Sequence, residues 1–168
     1  MNKAEMHPAE AVGQHYLYAG SLFVHHLPHI VSTVLGSCVS VCLWDKRLQI
    51  GGINHYQLAL WNGEGLASPR YGNISNIKLI EKLEALGSRR KDLVAKIFGG
   101  SSVIQNTSSI LKVGENNIAI AVKSMEDAGI PIIAKDVGGS KGRKLKFHTG
   151  TGRVLMKRLE SSKSSEAN

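Results

Sequence analysis

The chain has 168 residues, 42% hydrophobic and 5% aromatic, with a formal net charge of +8. That length suits one domain with a core of its own, and the apolar content excludes a chain left unfolded for want of surface to bury. No run approaches the roughly 20 apolar residues that span a bilayer. The segment from Met1 to Glu10 is polar, carries Pro8 and leads into no apolar run, so no secretory leader is expected and a cytoplasmic protein is. Cys38 and Cys42, four residues apart, lie too far apart on one extended strand to bridge and read as thiols in a reducing compartment.

In chain order, Ser21-Leu22-Phe23-Val24 and Ile30-Val31-Ser32-Thr33-Val34 are β-rich runs separated by a loop with Pro28. Val39 to Trp44 and Leu48 to His55 flank the polar Asp45-Lys46-Arg47 and predict a hairpin. Gly63 to Gly72 reads as a surface loop. Ile74, Ile77, Ile80, Leu83 and Leu86 recur at about helical spacing, with Gly87 as a C-terminal stop. Leu93 to Phe98 predicts a strand running into Gly99-Gly100. A second helix is expected over residues 115–128, with Ile118, Val122 and Met125 as its apolar stripe and Gly129 and Pro131 ending it. Ile130 to Val137 predicts a strand, and Lys144 to Phe147 with Arg153 to Lys157 a second hairpin. The serine-rich tail from Glu160 is expected to be disordered. Strands and two helices without a repeat give a mixed α/β fold.

Cys38 follows a flexible Gly36-Ser37 turn, and His55 follows Gly51-Gly52 on the other arm of the hairpin. A nearby imidazole activates a thiol, and a tight turn can aim the backbone N–H groups of such a site at a developing oxyanion. An inert buried cysteine and a hydrogen-bonded strand histidine are the opposing readings, and Cys42, in the apolar continuation of the strand, is taken as core. Asn54 is a candidate orienting group, but strand alternation points it to the opposite face from His55. Ser32 offers a hydroxyl upstream. His25, His26 and His29 invite a metal, but their loop brings no Cys or carboxylate, so no metal site is expected. The glycine loops 99–102 and 138–143 match no nucleotide-binding fingerprint; they are expected near the site, with Lys141 and Arg143 available to an acidic substrate. The basic balance favours an acidic partner, yet no recognition helix or aromatic–basic motif supports nucleic acid.

The segments Thr33 to Asp45 and Gly51 to His55 resemble the chemoreceptor glutamine deamidase family, CheD. So do Arg70-Tyr71-Gly72, Lys96 to Gly100, Gly114-Glu115-Asn116-Asn117, Asp136 to Gly139 and Gly142-Arg143, in order over nearly the whole chain. The resemblance implies conversion of receptor glutamines to glutamate with release of ammonia, and no cofactor. Cys38 is then the nucleophile, His55 the base and Ser32, six residues before the cysteine, the third catalytic residue, with Thr33 beside it as the open alternative; Gly36 and Ser37 support the oxyanion. It also implies a single-domain α/β sandwich, with a mixed, largely antiparallel sheet and two main helices, similar to cysteine-dependent deamidating toxins. The domain is expected over residues 20–159, between an extension at 1–19 and the tail at 160–168. Methyl-accepting chemotaxis receptors are the implied substrate, and a CheC-type phosphatase is a possible competing partner. A non-catalytic adaptor using the same groove is the alternative, and hydrolysis of methyl esters stays open.

Overall fold

The computed structural model describes residues 11–102 and 108–160. Strands β1 (Gly13–Tyr16), β2 (Ser21–His25), β3 (His29–Leu35), β4 (Val39–Asp45) and β5 (Ile50–His55) precede helix α1 (Gly72–Ala85). Strand β6 (Leu93–Gly99), helix α2 (Ser108–Ala128) and strands β7 (Ile132–Val137), β8 (Arg143–His148) and β9 (Val154–Arg158) complete the chain. The expected tail lies outside the described residues, apart from Glu160.

The mixed, largely antiparallel β-structure is divided between two sheets, one of order β1-β3-β8-β9 and one of order β2-β5-β4-β6-β7. Among the strands of the described residues only β1–β3 and β6–β7 pair in parallel. Strand β1 lies upstream of residue 20, yet it belongs to the smaller sheet, and Leu17 behind it is buried. Among the described residues no helix is long and apolar enough to cross a membrane.

Strand β4 shows how the layers assemble. Successive side chains leave a strand on opposite faces. Val39, Val41 and Leu43 pack with Leu79, Leu83, Ala121 and Met125 from the two helices. Cys42 of β4 instead joins Ile53, Val31, Leu35, Leu145 and Phe147 between the two sheets. The central strands β4, β5 and β6 of the larger sheet are therefore buried on both faces, and full burial of each Leu-sized side chain is worth about 1.5–3 kcal/mol. Strand β8, with one wet face, alternates cleanly between buried and exposed residues.

Helix α1 turns a different face inward from the one its isoleucines suggest. Ser75, Asn76, Leu79, Ile80 and Leu83 are buried, whereas Ile77 is 53% exposed. The Asn54 amide donates to Asn76 Oδ1 at 2.8 Å, and Asn76 Nδ2 donates to Ser124 Oγ at 3.2 Å. This polar bridge from sheet to both helices fixes the helix rotation. Gly72 lets α1 start there, because a Cβ would come within 2.7 Å of both the Tyr56 ring and Ile120.

Candidate active site

The β4–β5 hairpin sets the positions of the thiol and the imidazole. Val39 and Tyr56 exchange both backbone hydrogen bonds, at 3.2 and 3.1 Å, and Cys42 lies opposite Ile53. The same register places Ser40 opposite His55 and Cys38 opposite Gln57. Residues opposite each other share a face, so Cys38 and His55 are diagonal neighbours on the face turned toward the smaller sheet. Cys38 packs against the inter-sheet core and keeps partial exposure.

His55 is 5% exposed, and burial holds its imidazole down at about 4, below the ordinary 6.5. The ring is therefore neutral at physiological pH, as a general base requires. Its Nδ1 lies 2.7 Å from Thr33 Oγ1, whose own proton goes to the Leu17 carbonyl at 2.8 Å. The threonine oxygen is thus left to accept from Nδ1–H, which puts the imidazole lone pair on Nε2.

Thr33, not Ser32, is the hydroxyl that meets the imidazole, the alternative that the sequence left open beside Ser32. Val31, Thr33 and Leu35 are buried on the inner face of β3, whereas Ser32 shares the outer face with Val34, which is 40% exposed. A shift of one residue on a strand reverses the face.

The turn before the thiol is fastened through its carbonyls. Ser101 N–H donates to the Gly36 carbonyl at 3.0 Å, Asn117 Nδ2 to that of Ser37 at 2.9 Å and Gly100 N–H to that of Cys38 at 2.8 Å. Among the described residues the Ser37 and Cys38 N–H groups donate to no other residue's backbone, and the Cys38 N–H lies by its own thiol. Burial pushes the Cys38 thiol up, partly offset by its own backbone N–H. Burial thus favours the uncharged form of each group. Cys42 is buried and burial raises its thiol further.

Arg143 is 3% exposed and its guanidinium donates to Asp136 Oδ1 and to the Gly138 carbonyl, both at 2.8 Å. It ties β7 to β8 rather than facing a substrate; Lys141 beside it is exposed. Among the described residues no group of three His, Cys, Asp or Glu side chains is arranged to hold a metal. Sequence reasoning gave no role to Leu17 or Asn117, whose contacts with the site cross long stretches of chain.

Residues 60–158 match the family described as CheD chemotactic sensory transduction. The chain belongs to the CheD family. It is 49% identical over 148 residues, 88% of this chain and 95% of the relative, to a Sulfurimonas denitrificans protein named "Probable chemoreceptor glutamine deamidase CheD". A Trichlorobacter lovleyi protein of the same name is 45% identical over 88% of this chain and 91% of its own. An Anaeromyxobacter dehalogenans protein named "Probable chemoreceptor glutamine deamidase CheD 1" is 42% identical over 87% and 85%. The CheD match of 60–158 begins after the hairpin, but the first relative's match leaves too little of the chain uncovered for Cys38 and His55 to fall outside it.

Proposed function

We propose that this chain is a protein-glutamine deamidase acting on methyl-accepting chemotaxis receptors in the cytoplasm, with Cys38 as nucleophile, His55 as base and Thr33 as the group that orients the base. The reading rests on the neutral imidazole held by Thr33 on the same face as the thiol. The names of the curated relatives supply the substrate class.

In this mechanism His55 Nε2 takes the thiol proton as Sγ attacks the glutamine Cδ. The N–H groups of Ser37 and Cys38 receive the oxyanion. Nε2–H then protonates the leaving nitrogen, the C–N bond breaks and ammonia departs from a thioester. Water gives a proton to Nε2 and its oxygen attacks the thioester carbon; the C–S bond breaks, and the imidazolium returns a proton to the thiolate. Glutamate and the resting enzyme remain. A receptor methyl ester would pass through the same thioester with methanol as leaving group. The CheC-type phosphatase belongs to this proposal as a competitor for the enzyme, on the family resemblance alone.

The test is mass spectrometry of receptors incubated with the wild-type protein and with Cys38→Ala. A gain of about one dalton at particular glutamines, seen only with the wild type, is the signature of amide becoming acid by the nucleophilic route. Receptors that bind but gain no mass would leave the adaptor reading in its place.

A further inference from the structure

Asn117 sits on α2, fully buried, on the far side of the larger sheet from the Cys38–His55 face. Its Nδ2 donates to the Ser37 carbonyl at 2.9 Å and to the Gln57 carbonyl at 3.0 Å. Its Oδ1 has no partner among the described residues. The reversed amide would set that oxygen against two carbonyl oxygens, so the two acceptors fix which way the side chain points. The Tyr56 hydroxyl donates to the Asn117 backbone carbonyl at 2.5 Å and holds the helix to the hairpin at this point.

A trans peptide directs its C=O and N–H to opposite sides. Holding the Ser37 carbonyl toward α2 therefore turns the Cys38 N–H away from α2. Of the three groups that fasten the turn, Ser101 and Gly100 use backbone N–H, and only Asn117 uses a side chain. Through Gln57 the same amide grips the segment two residues beyond His55. We propose that Asn117 is a positioning residue that orients the Ser37–Cys38 peptide, so that the Cys38 N–H serves as oxyanion donor in register with His55. The inference rests on the deamidase reading and adds to it a residue that touches neither substrate nor thiol.

Two reactions at the same sulfur separate this role from a general structural one. Deamidation passes through an oxyanion; alkylation by iodoacetamide displaces iodide and forms none. Asn117→Ala is expected to lower kcat for receptor deamidation on the order of 100-fold, the scale of one lost oxyanion donor, with KM within about threefold. The rate of Cys38 alkylation at a pH high enough to form the thiolate fully, followed on its peptide by mass spectrometry, is expected to stay within about twofold. Should Asn117→Ala fail to fold, Asn117→Asp, of the same size, is read in its place; its carboxyl donates at most one hydrogen bond and the same split is expected. Equal losses in both reactions, or deamidation at the wild-type rate, would overturn the proposal. A wild-type protein that alkylates normally but deamidates no receptor would overturn the deamidase reading itself, and the role of Asn117 with it.

Discussion

Thr33 Oγ1 stands 2.7 Å from His55 Nδ1 and spends its own proton on the Leu17 carbonyl. The hydroxyl can therefore only accept from the ring, and a tautomer follows from a main-chain carbonyl sixteen residues upstream. An imidazole with Nδ1 protonated presents Nε2 as the basic nitrogen.

Replacing Thr33 by valine keeps shape and burial but removes the acceptor. Thr33→Val is expected to lower kcat for ammonia release about 10–100-fold, a part of what a positioned general base contributes. Thr33→Ser is expected to restore most of the activity, and Ser32→Ala to stay within about twofold of wild type on the same scale. A greater loss from Ser32→Ala than from Thr33→Val would return the third position to Ser32.

Burial of His55 predicts a pH dependence of stability. Its folded value of about 4 lies below the 6.5 of a solvent-exposed, partner-free ring in the unfolded chain. Between those values the unfolded chain binds more protons than the folded one, so stability falls as pH drops from 6.5 toward 4 and is unaffected by this group above 6.5. The full loss is about 3 kcal/mol. Urea midpoints measured across that window are expected to fall less steeply in His55→Gln than in wild type. Equal slopes would show that the ring does not titrate as described.

The two cysteines are expected to separate. Cys38→Ala should abolish deamidation with little change in stability, since Cys38 is only partly buried. Cys42→Ala trims the inter-sheet core and is expected to cost about 1 kcal/mol while activity per folded molecule holds. Thermal melts paired with ammonia release on both variants check this, and matching activity losses would displace Cys38 as nucleophile.

Gly99 lies at φ +107°, and a Cβ there would run into the Cys38 carbonyl oxygen. Gly99→Ala must strain its backbone and push the nucleophile turn aside, costing about 1–3 kcal/mol of stability. The displaced carbonyl also faces the Gly100 N–H, so kcat is expected to fall further than the folded fraction does. Retained kcat per folded molecule would show that the turn tolerates the shift.

Much of this was legible in the chain. The hairpin carrying Cys38 and His55 announced itself through two short apolar runs around Asp45-Lys46-Arg47, and Gly87 and Gly129 marked both helix ends. The inward face of α1 was hidden because Ser75 and Asn76 hold a polar bridge that apolar periodicity cannot register. Thr33 was ambiguous for a related reason: β3 carries apolar residues at Ile30 and Val34 as well as at Val31 and Leu35, so neither face stood out. Dividing the strands between two sheets depended on pairings such as β3 with β8, more than a hundred residues apart. Asn117 was likewise visible in its motif but mute in its role, since its acceptors lie 60 and 80 residues away.

The parallel seating of β1 against β3 bears on how the protein is handled at its front end. Leu17 anchors that strand in the inter-sheet core and offers the carbonyl that occupies the Thr33 proton. Trimming the chain past this leucine would leave Thr33 free to donate to Nδ1 instead, and so favour the wrong ring proton on His55. A shortened form, folded and with every catalytic side chain intact, would then be slowed for want of one distant main-chain oxygen.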